Sequence, residues 1–571
     1  MLKGIPVSEG IGIGRAYIIK KTQSDYENKP VENKESEKTR LQKAIQTFCE
    51  KNEELAKRME NSSVAKEAEI IRGHAVMLND PFMISQMEEN VDTGMCAEAA
   101  CESVLNMFKE IFLSAEDELT RQRAADIEDI KSRLLAIMTG TESNLLSELP
   151  DNTILVAEEL TPSMTAEIDK DKVCGIITEK GGKTSHSAIL ARAMGIPAVL
   201  SVPNVLSKLV DGLDVIIDGE EGVILEDPDE KEKKEYIEKL EVLIEEKQIH
   251  MAFANRKTIT ADGIEKSLFC NVGKLDDAVT AVEKSGEGIG LFRTEFLFMG
   301  RDSAPDEQLQ FETYKKAAQL FPEGEVIVRT LDVGGDKAIS YLEMEQEENP
   351  FLGFRAIRYC LHNTELFRTQ LKAAVRASAF GKIAIMVPLV TQVEEIRAVR
   401  ALVDTIKKEL ENDGTPYDAN IKIGAMIETP AAGLIADILA EECDFFSIGT
   451  NDLTQYTMAS DRGNSKISYL NNYFEPAVLR SIRHIIQCGN RAGIPVGMCG
   501  EAAADPMMTP LLISFGLDEF SVSPGAVLKT RYNISKWSKK DADKVTETVM
   551  KCKTAAEVMK ILKYSQNKYP F

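Results

Sequence analysis

The stretch VCGIITEKGGKTSHSAILARAMGIPAV, residues 173–199, changes period in its middle. Val173 to Ile177 reads as a buried strand, and Gly181-Gly182 breaks it. From Thr184 or Ser185 the apolar residues recur at helical spacing as far as Gly195, and AVLSV (198–202) then opens another strand. Strand, turn, helix, strand is the pattern of an α/β unit. TILVAEE (153–159) and DVIIDG (214–219) extend it, and the small and apolar residues of 1–20 suit a strand and turn of the same sheet.

Between these parts the pattern is different. Leu41, Ile45, Phe48 and Leu55 follow helical spacing among Lys and Glu, and no convincing strand precedes Leu149. Residues 21–147 therefore read as an all-helical insert in an α/β domain made of 1–20 and 148–227. The insert holds 16 basic and 25 acidic residues, and between Asp80 and Glu118 ten acids face one base, Lys109. Such a run fits a solvated helix face or a docking surface for a basic partner, and composition does not choose between them. After the sheet, Asp227-Pro228-Asp229-Glu230 reads as a helix start with Asp227 as N-cap and Pro228 in the first turn. A charged linker helix (228–255) carrying Tyr236, Leu240, Leu243 and Ile244 would end near His250.

Residues 256–571 repeat one unit of apolar strand, polar loop and helix. The strands are SLFCNV, GIGLF, EVIVRT, IAIMVP, KIGAMIE, FFSIGT, PVGMCG and EFSVS. Eight such units predict a (β/α)8 barrel, with its chemistry at the C-terminal strand ends.

The whole chain has 571 residues with 68 Lys+Arg against 92 Asp+Glu, a formal charge of −24, which suits three or four globular domains. That acidity excludes general binding of nucleic acid or anionic membrane and requires any anionic substrate to find a locally positive pocket. No signal peptide and no apolar run of membrane-spanning length is present, so a cytoplasmic protein is expected. The ten cysteines are scattered, without a CxxC pair or a Cys/His cluster of zinc spacing, so free thiols are expected.

Two constellations carry chemistry. His186 falls in the first turn of its helix, where unpaired N–H groups and the positive end of the dipole favour neutral imidazole and welcome an attached anion. A lone His there fits a capping or surface role as well as a nucleophile; the paired glycines, Thr184, Ser185, Ser187, Lys183 and Arg192 around it add weight to the second. At the barrel's strand ends stand Arg293, Arg329, Glu428, Asn451, Asp452 and Cys499, with Arg355 and Arg462 in the loops after strands three and six. Each alone has a structural reading, as a surface ion pair or, for Cys499, a small hydrophobe. Together, ionic groups at one end of five otherwise apolar strands point to a site for an anion and a hard cation.

GGKTSHSAILARAMGIPAV (181–199) resembles the phosphohistidine signature of the PEP-utilising enzymes, with Lys183 where Arg is commoner and Ser187 where Thr is. The barrel stretches resemble the phosphoenolpyruvate (PEP)-binding barrel of the Enzyme I family, and the likeness runs through the whole chain. LFMGR and GEAAAD depart slightly from the commoner LFMDR and GEAAGD. The resemblance implies that His186 takes the phosphoryl group of PEP, supported by Thr165, Gly182 and Lys183. It implies Mg2+ on Glu428 and Asp452, and PEP held by Arg293, Arg329, Arg462 and Asn451. Arg355 would stand by the transferring group, and Cys499 would protonate the enolate. The helical insert would bind the phosphocarrier HPr, and the barrel would form a homodimer. Nucleotide-dependent relatives need a large ATP-binding domain ahead of the histidine, whereas 185 residues, mostly insert, precede His186 and no P-loop is visible. A divalent-metal lyase acting on pyruvate-like substrates would leave His186 unused, and a nitrogen-branch regulatory relay would bring an additional sensor domain.

Overall fold

The opening residues make three strands where one was expected: β1 (Leu2–Lys3), β2 (Ile5–Ser8) and β3 (Ile11–Ile18). They join β4 (Thr153–Ala157), β5 (Val173–Thr178), β6 (Ala198–Leu200), β7 (Asp214–Asp218) and β8 (Val223–Glu226) in one sheet of order β1-β8-β7-β3-β4-β5-β6-β2. The computed structural model describes residues 1–19, 26–27, 31, 33–60, 67–114, 118–141, 146, 149–166, 168–182, 185–334, 339–342, 344–345 and 347–568. It forms two units, Met1–Glu246 and Lys247–Phe571.

β3 runs parallel to β4, with Arg15 opposite Thr153 and Ile18 opposite Val156. The strands on either side of the helical block are therefore neighbours, and the block is an insertion. Its helices are α1 (Lys34–Glu60), α2 (Glu67–Leu78), α3 (Pro81–Asp92), α4 (Ala97–Leu113) and α5 (Glu118–Thr139). Leu41, Ile45 and Phe48 of α1 bury against Met87, Cys101, Ile127 and Leu134, while Leu55, Ala56 and Met59 of the same helix join Leu155, Ile176 and Leu190 of the α/β part. One long helix thus contributes to two cores, and each fully buried Leu, Ile or Phe adds roughly 1.5–3 kcal/mol.

The acid run is partly structural. Asp80 caps α3 by accepting the N–H groups of Phe82 and Met83 at 2.9 and 3.2 Å. Asp92 pairs with Lys38 at 2.8 Å, Glu98 accepts from Arg40 at 2.8 Å, and Glu102 accepts the Tyr26 hydroxyl. Glu116 and Asp117 lie outside the described residues. Gln42 and Gln86 donate to Glu88 and Glu89 at 2.9 and 3.0 Å, so capping and internal pairing, which the charge count cannot reveal, use at least six of the ten acids.

Three short helices, α6 (Pro162–Ala166), α7 (His186–Met194) and α8 (Val205–Lys208), line the sheet before α9 (Glu230–Met251). The cap of α9 corrects the sequence reading. Asp229, not Asp227, is the N-cap: its Oδ1 accepts from Glu232 N at 2.7 Å, and Glu232 Oε2 accepts from Asp229 N at 3.0 Å, a capping box. Asp227 sits at φ 48° and donates its N–H to Asp214 O at 3.0 Å, so it closes the β7–β8 hairpin and the helix begins later. No residue of α9 is buried.

The second unit is a closed parallel barrel of β9 (Ser267–Val272), β10 (Ile289–Arg293), β11 (Glu325–Arg329), β12 (Lys382–Val387), β13 (Lys422–Ile427), β14 (Phe446–Ile448), β15 (Val496–Met498) and β16 (Glu519–Val522). Each coincides with a strand expected from the sequence. Alternation along the strands divides the side chains: Leu268, Ile289, Val326, Ile385 and Ile427 pack outward on the helices, whereas Leu291, Ile327, Met386, Met426, Phe445 and Cys499 fill the interior. All ten cysteines are free thiols, and among the described residues no helix is long and apolar enough to cross a membrane.

Candidate active site

His186 opens α7 because Ser185 stops the preceding chain in extended geometry (φ −65°, ψ 159°) and its Oγ accepts from Ala188 N at 3.4 Å. Gly195, at φ 67°, closes the helix. Ser187 is fully buried and bonded both ways to the backbone of Leu160, accepting its N–H at 3.3 Å and donating to its carbonyl at 3.4 Å. That pair ties the start of α7 to the turn that leads into α6, where the buried hydroxyl of Thr165 donates to Pro162 O at 2.7 Å. From the insert, Asp129 accepts the hydroxyl of Ser163 in the same short helix at 2.6 Å. Gly182 accepts from Ser185 N at 3.0 Å. Thr165, Gly182 and the His186 backbone therefore belong to one tied segment; Lys183 and the side chain of His186 lie outside the described residues.

At the barrel, strand register carries the other residues to one rim. Arg293 ends β10 and Arg329 ends β11, Glu428 follows β13, Asn451 and Asp452 open the helix after β14, and Cys499 follows β15. Glu428, Arg329 and Arg293 all act electrostatically on Cys499, which places four expected residues together. Arg293 is exposed, whereas Arg329 is buried and held by Glu295 at 2.6 Å and Asp332 at 3.2 Å. Burial opposes charge on Arg329, but Glu295, Asp332 and Glu428 outweigh it, and the guanidinium is held more firmly protonated than usual.

Arg355 donates to the other oxygen of Asp332 at 2.7 Å, and its second nitrogen donates to the Tyr456 hydroxyl at 3.4 Å. Arg462 reaches Asp452 at 3.1 Å, and the Asn451 amide donates to Glu501 at 3.3 Å. The nearby backbone is strained. Ala356, next to Arg355, stands at φ 53°, and Leu389, at φ 57°, aims its N–H at Glu428 Oε1, 2.7 Å away. A Cβ on Gly449 would lie 2.6 Å from Glu428 Oε2, so any larger residue there would displace that carboxylate beside the helix bearing Asp452.

Sequence reading missed Glu295, Asp332, Tyr456 and Leu389. Glu295 and Asp332 sit two and three residues beyond named arginines, in RTEF and RTLD. An unpaired buried arginine is costly, and that was the available signal. The rim is consequently less positive than four arginines suggest, because four carboxylates stand among them.

Burial, then Asp452 and Asp332, push the Glu428 carboxyl up to about 8, against the pull of Arg329 and the Leu389 N–H. Asp452 Oδ1 meets Arg462 as an ion pair at 3.1 Å but receives no well-aligned hydrogen bond. Two adjacent buried carboxylates, one held neutral and one short of donors, are a donor set that fits a hard divalent cation. Among the described residues no group of three or more His, Cys, Asp or Glu is so arranged, so such a cation would take its other ligands from substrate and water. Because the Glu428 pKa is raised above its usual 4.5, the folded state holds the extra proton between those values. Metal-free protein is expected to lose stability as pH rises from 4.5 to about 8. Cation binding below that pH is expected to release about one proton, read by titration calorimetry in buffers of different ionisation enthalpy. Buffer-independent heats would remove Glu428 from the site.

Burial raises the Cys499 thiol to about 11, beyond what Ser447, Arg329 and Arg293 recover, so at neutral pH it carries its proton. It therefore stands at the rim as a thiol and not as a thiolate.

The model of the PEP-binding domain of PEP-utilising enzymes matches residues 247–539, that of their mobile domain 149–222, and that of their N-terminal domain 3–123. The chain is 40% identical over 563 residues to the phosphoenolpyruvate-protein phosphotransferases of Priestia megaterium and Bacillus subtilis strain 168, covering 98% of itself and 98% and 99% of those proteins. A solution structure of an Enzyme I protein is 34% identical, and the match covers 43% of this chain and 99% of that one with a TM-score of 0.39.

Proposed function

Since this chain belongs to the phosphoenolpyruvate-protein phosphotransferases, a branch of the PEP-utilising enzymes, we propose that it transfers the phosphoryl group of PEP to its own His186 and then to a histidine of HPr. Pyruvate is released, and the reaction is the first step of the PEP-dependent sugar phosphotransferase system. The observation that carries this reading is the meeting, at one barrel rim, of a protonated thiol, two buried carboxylates and the guanidinium groups of Arg293 and Arg329.

Arg293, Arg329, Arg462 and the Asn451 amide bind the phosphate and carboxylate of PEP, and Arg355 stands by the transferring group. Mg2+, for which Glu428 and Asp452 are the protein ligands, supplies neutralisation of the charge on the phosphoryl oxygens. His186, neutral at its helix start and supported by Thr165, Gly182 and Lys183, attacks phosphorus in line through Nε2. The N–P bond forms as the P–O bond to the enolate breaks. Cys499 gives its proton to C3 of the enolate, producing pyruvate, and the thiolate takes a proton back from water. His186 and the barrel belong to different units, and the reading includes a swing of the histidine domain about 227–250.

HPr docks on the insert, 21–147. Support comes from the insert's excess of 25 acidic over 16 basic residues, and from the exposed apolar side chains Val76, Phe82 and Ile111. The enzyme acts in the cytoplasm as a dimer joined through its barrels, which sedimentation tests. The decisive assay loads the protein with radiolabelled PEP and Mg2+ and then adds purified HPr. Label moving to HPr supports the reading, and label that stays on the chain defeats it. For Cys499→Ala, pyruvate formation is expected to fall by about 10²-fold or more with PEP affinity retained; near-normal turnover would assign the proton to another group.

A further inference from the structure

The barrel interior is apolar at the level of Leu291, Ile327, Met386 and Met426. On β9 the outward residues Leu268, Cys270 and Val272 alternate with Phe269 and Asn271, and Asn271 is in register with the inward Leu291 of β10. Asn271 is half-buried at that level, and its amide is fully engaged. Asn271 Nδ2 donates to Cys499 O at 2.9 Å and to Ser521 O at 3.2 Å, and its Oδ1 accepts the hydroxyl of Ser521 at 2.7 Å. Ser521 is fully buried.

These bonds reach across a strand. The barrel order is β15, β16, β9, so Asn271 passes over β16 to hold the carbonyl of the residue that follows β15. The N–H of the same residue is fixed from the other side, donating to the carbonyl of Ile448 at the end of β14 at 3.1 Å. Cys499 therefore has each end of its peptide unit anchored outside its own strand. Both N–H groups of the Asn271 amide are used within the barrel, which leaves it no donor for a substrate.

We infer that Asn271, held by Ser521, is a positioning residue that sets the Cys499 thiol on one face of the enolate. The inference rests on the reading of Cys499 as the proton donor. With Sγ in place, the enolate's C2=C3 electron pair takes the thiol proton on a single face, the oxygen becomes the ketone, and the thiolate is reprotonated by water. With Sγ displaced, the enolate leaves and ketonises in bulk water on either face.

The test uses PEP deuterated stereospecifically at C3, in tritiated water, and reads the configuration of the chiral methyl group of pyruvate. Wild type is expected to give one configuration. Asn271→Leu is expected to lower the configurational excess about tenfold, and Ser521→Ala, which keeps both amide donors, to lower it less. Racemic pyruvate from Cys499→Ala together with wild-type excess from Asn271→Leu overturns the inference and leaves the role of Cys499 standing. Full excess from Cys499→Ala removes the donor assignment itself. If Asn271→Leu does not fold, Ser521→Ala decides, and an undiminished excess in that variant overturns the inference.

Discussion

His186→Ala incubated with radiolabelled PEP and Mg2+ is expected to carry no acid-labile, base-stable label, and its pyruvate formation is expected to drop at least about 10⁴-fold. The size of the effect follows from the want of a substitute. His74 is buried between Asp126 and Asp129, at 3.4 and 3.6 Å. His250 packs edge-on against Tyr532 in the last turn of α9, and His362 packs against Phe354 at the end of its helix. His484 lies within a helix beside Cys488. Of the five histidines only His186 opens a helix, where the dipole would favour a neutral, nucleophilic ring and then stabilise a phosphoryl anion on it. Alanine is a good helix former, so α7 should persist. PEP binding, confined to the barrel, should remain within a few-fold of wild type. Wild-type labelling of the variant would refute the assignment.

Arg329→Leu should disturb the molecule more broadly. Its guanidinium is the cation shared by Glu295 and Asp332, whose side chains are only 2% and 3% exposed. Removing it leaves two buried carboxylates with one fewer positive partner, a loss of about 3–5 kcal/mol. The barrel transition should then fall by roughly 10 °C in calorimetry. Arg329→Lys keeps a point charge that can serve one carboxylate but lacks the fork that grips phosphate. It should recover much of the stability while turnover stays about 10²-fold low. That separation of the two readouts distinguishes a substrate ligand from a structural ion pair. A Lys variant with both stability and turnover restored would reduce Arg329 to a structural role.

Every barrel strand was legible, because burial on both faces demands continuous apolar runs and the loops between them are polar. The helix at His186 was legible from its own cap and closing glycine. The start of α9 was not: Asp227 and Asp229 are both plausible caps locally, and the choice fell to a hairpin bond between Asp227 and Asp214. The acids of 80–118 were countable, but Glu98 and Asp92 meet Arg40 and Lys38 only once α1 folds back over α3 and α4.

At the site the division is similar. The residue types at the strand ends, and hence the chemistry available, are written in the order of amino acids: guanidinium groups, a carboxylate pair, a thiol and a histidine at a helix start. Tertiary structure alone decided which of them are paired, buried and protonated. Glu295 reaches Arg329 across 34 residues, and Asn271 reaches Cys499 across 228. The reason is physical: helical and strand periods and helix caps act over a few residues and are written locally. The charge state of a buried carboxyl and the place of a thiol depend on groups that meet only when the barrel closes.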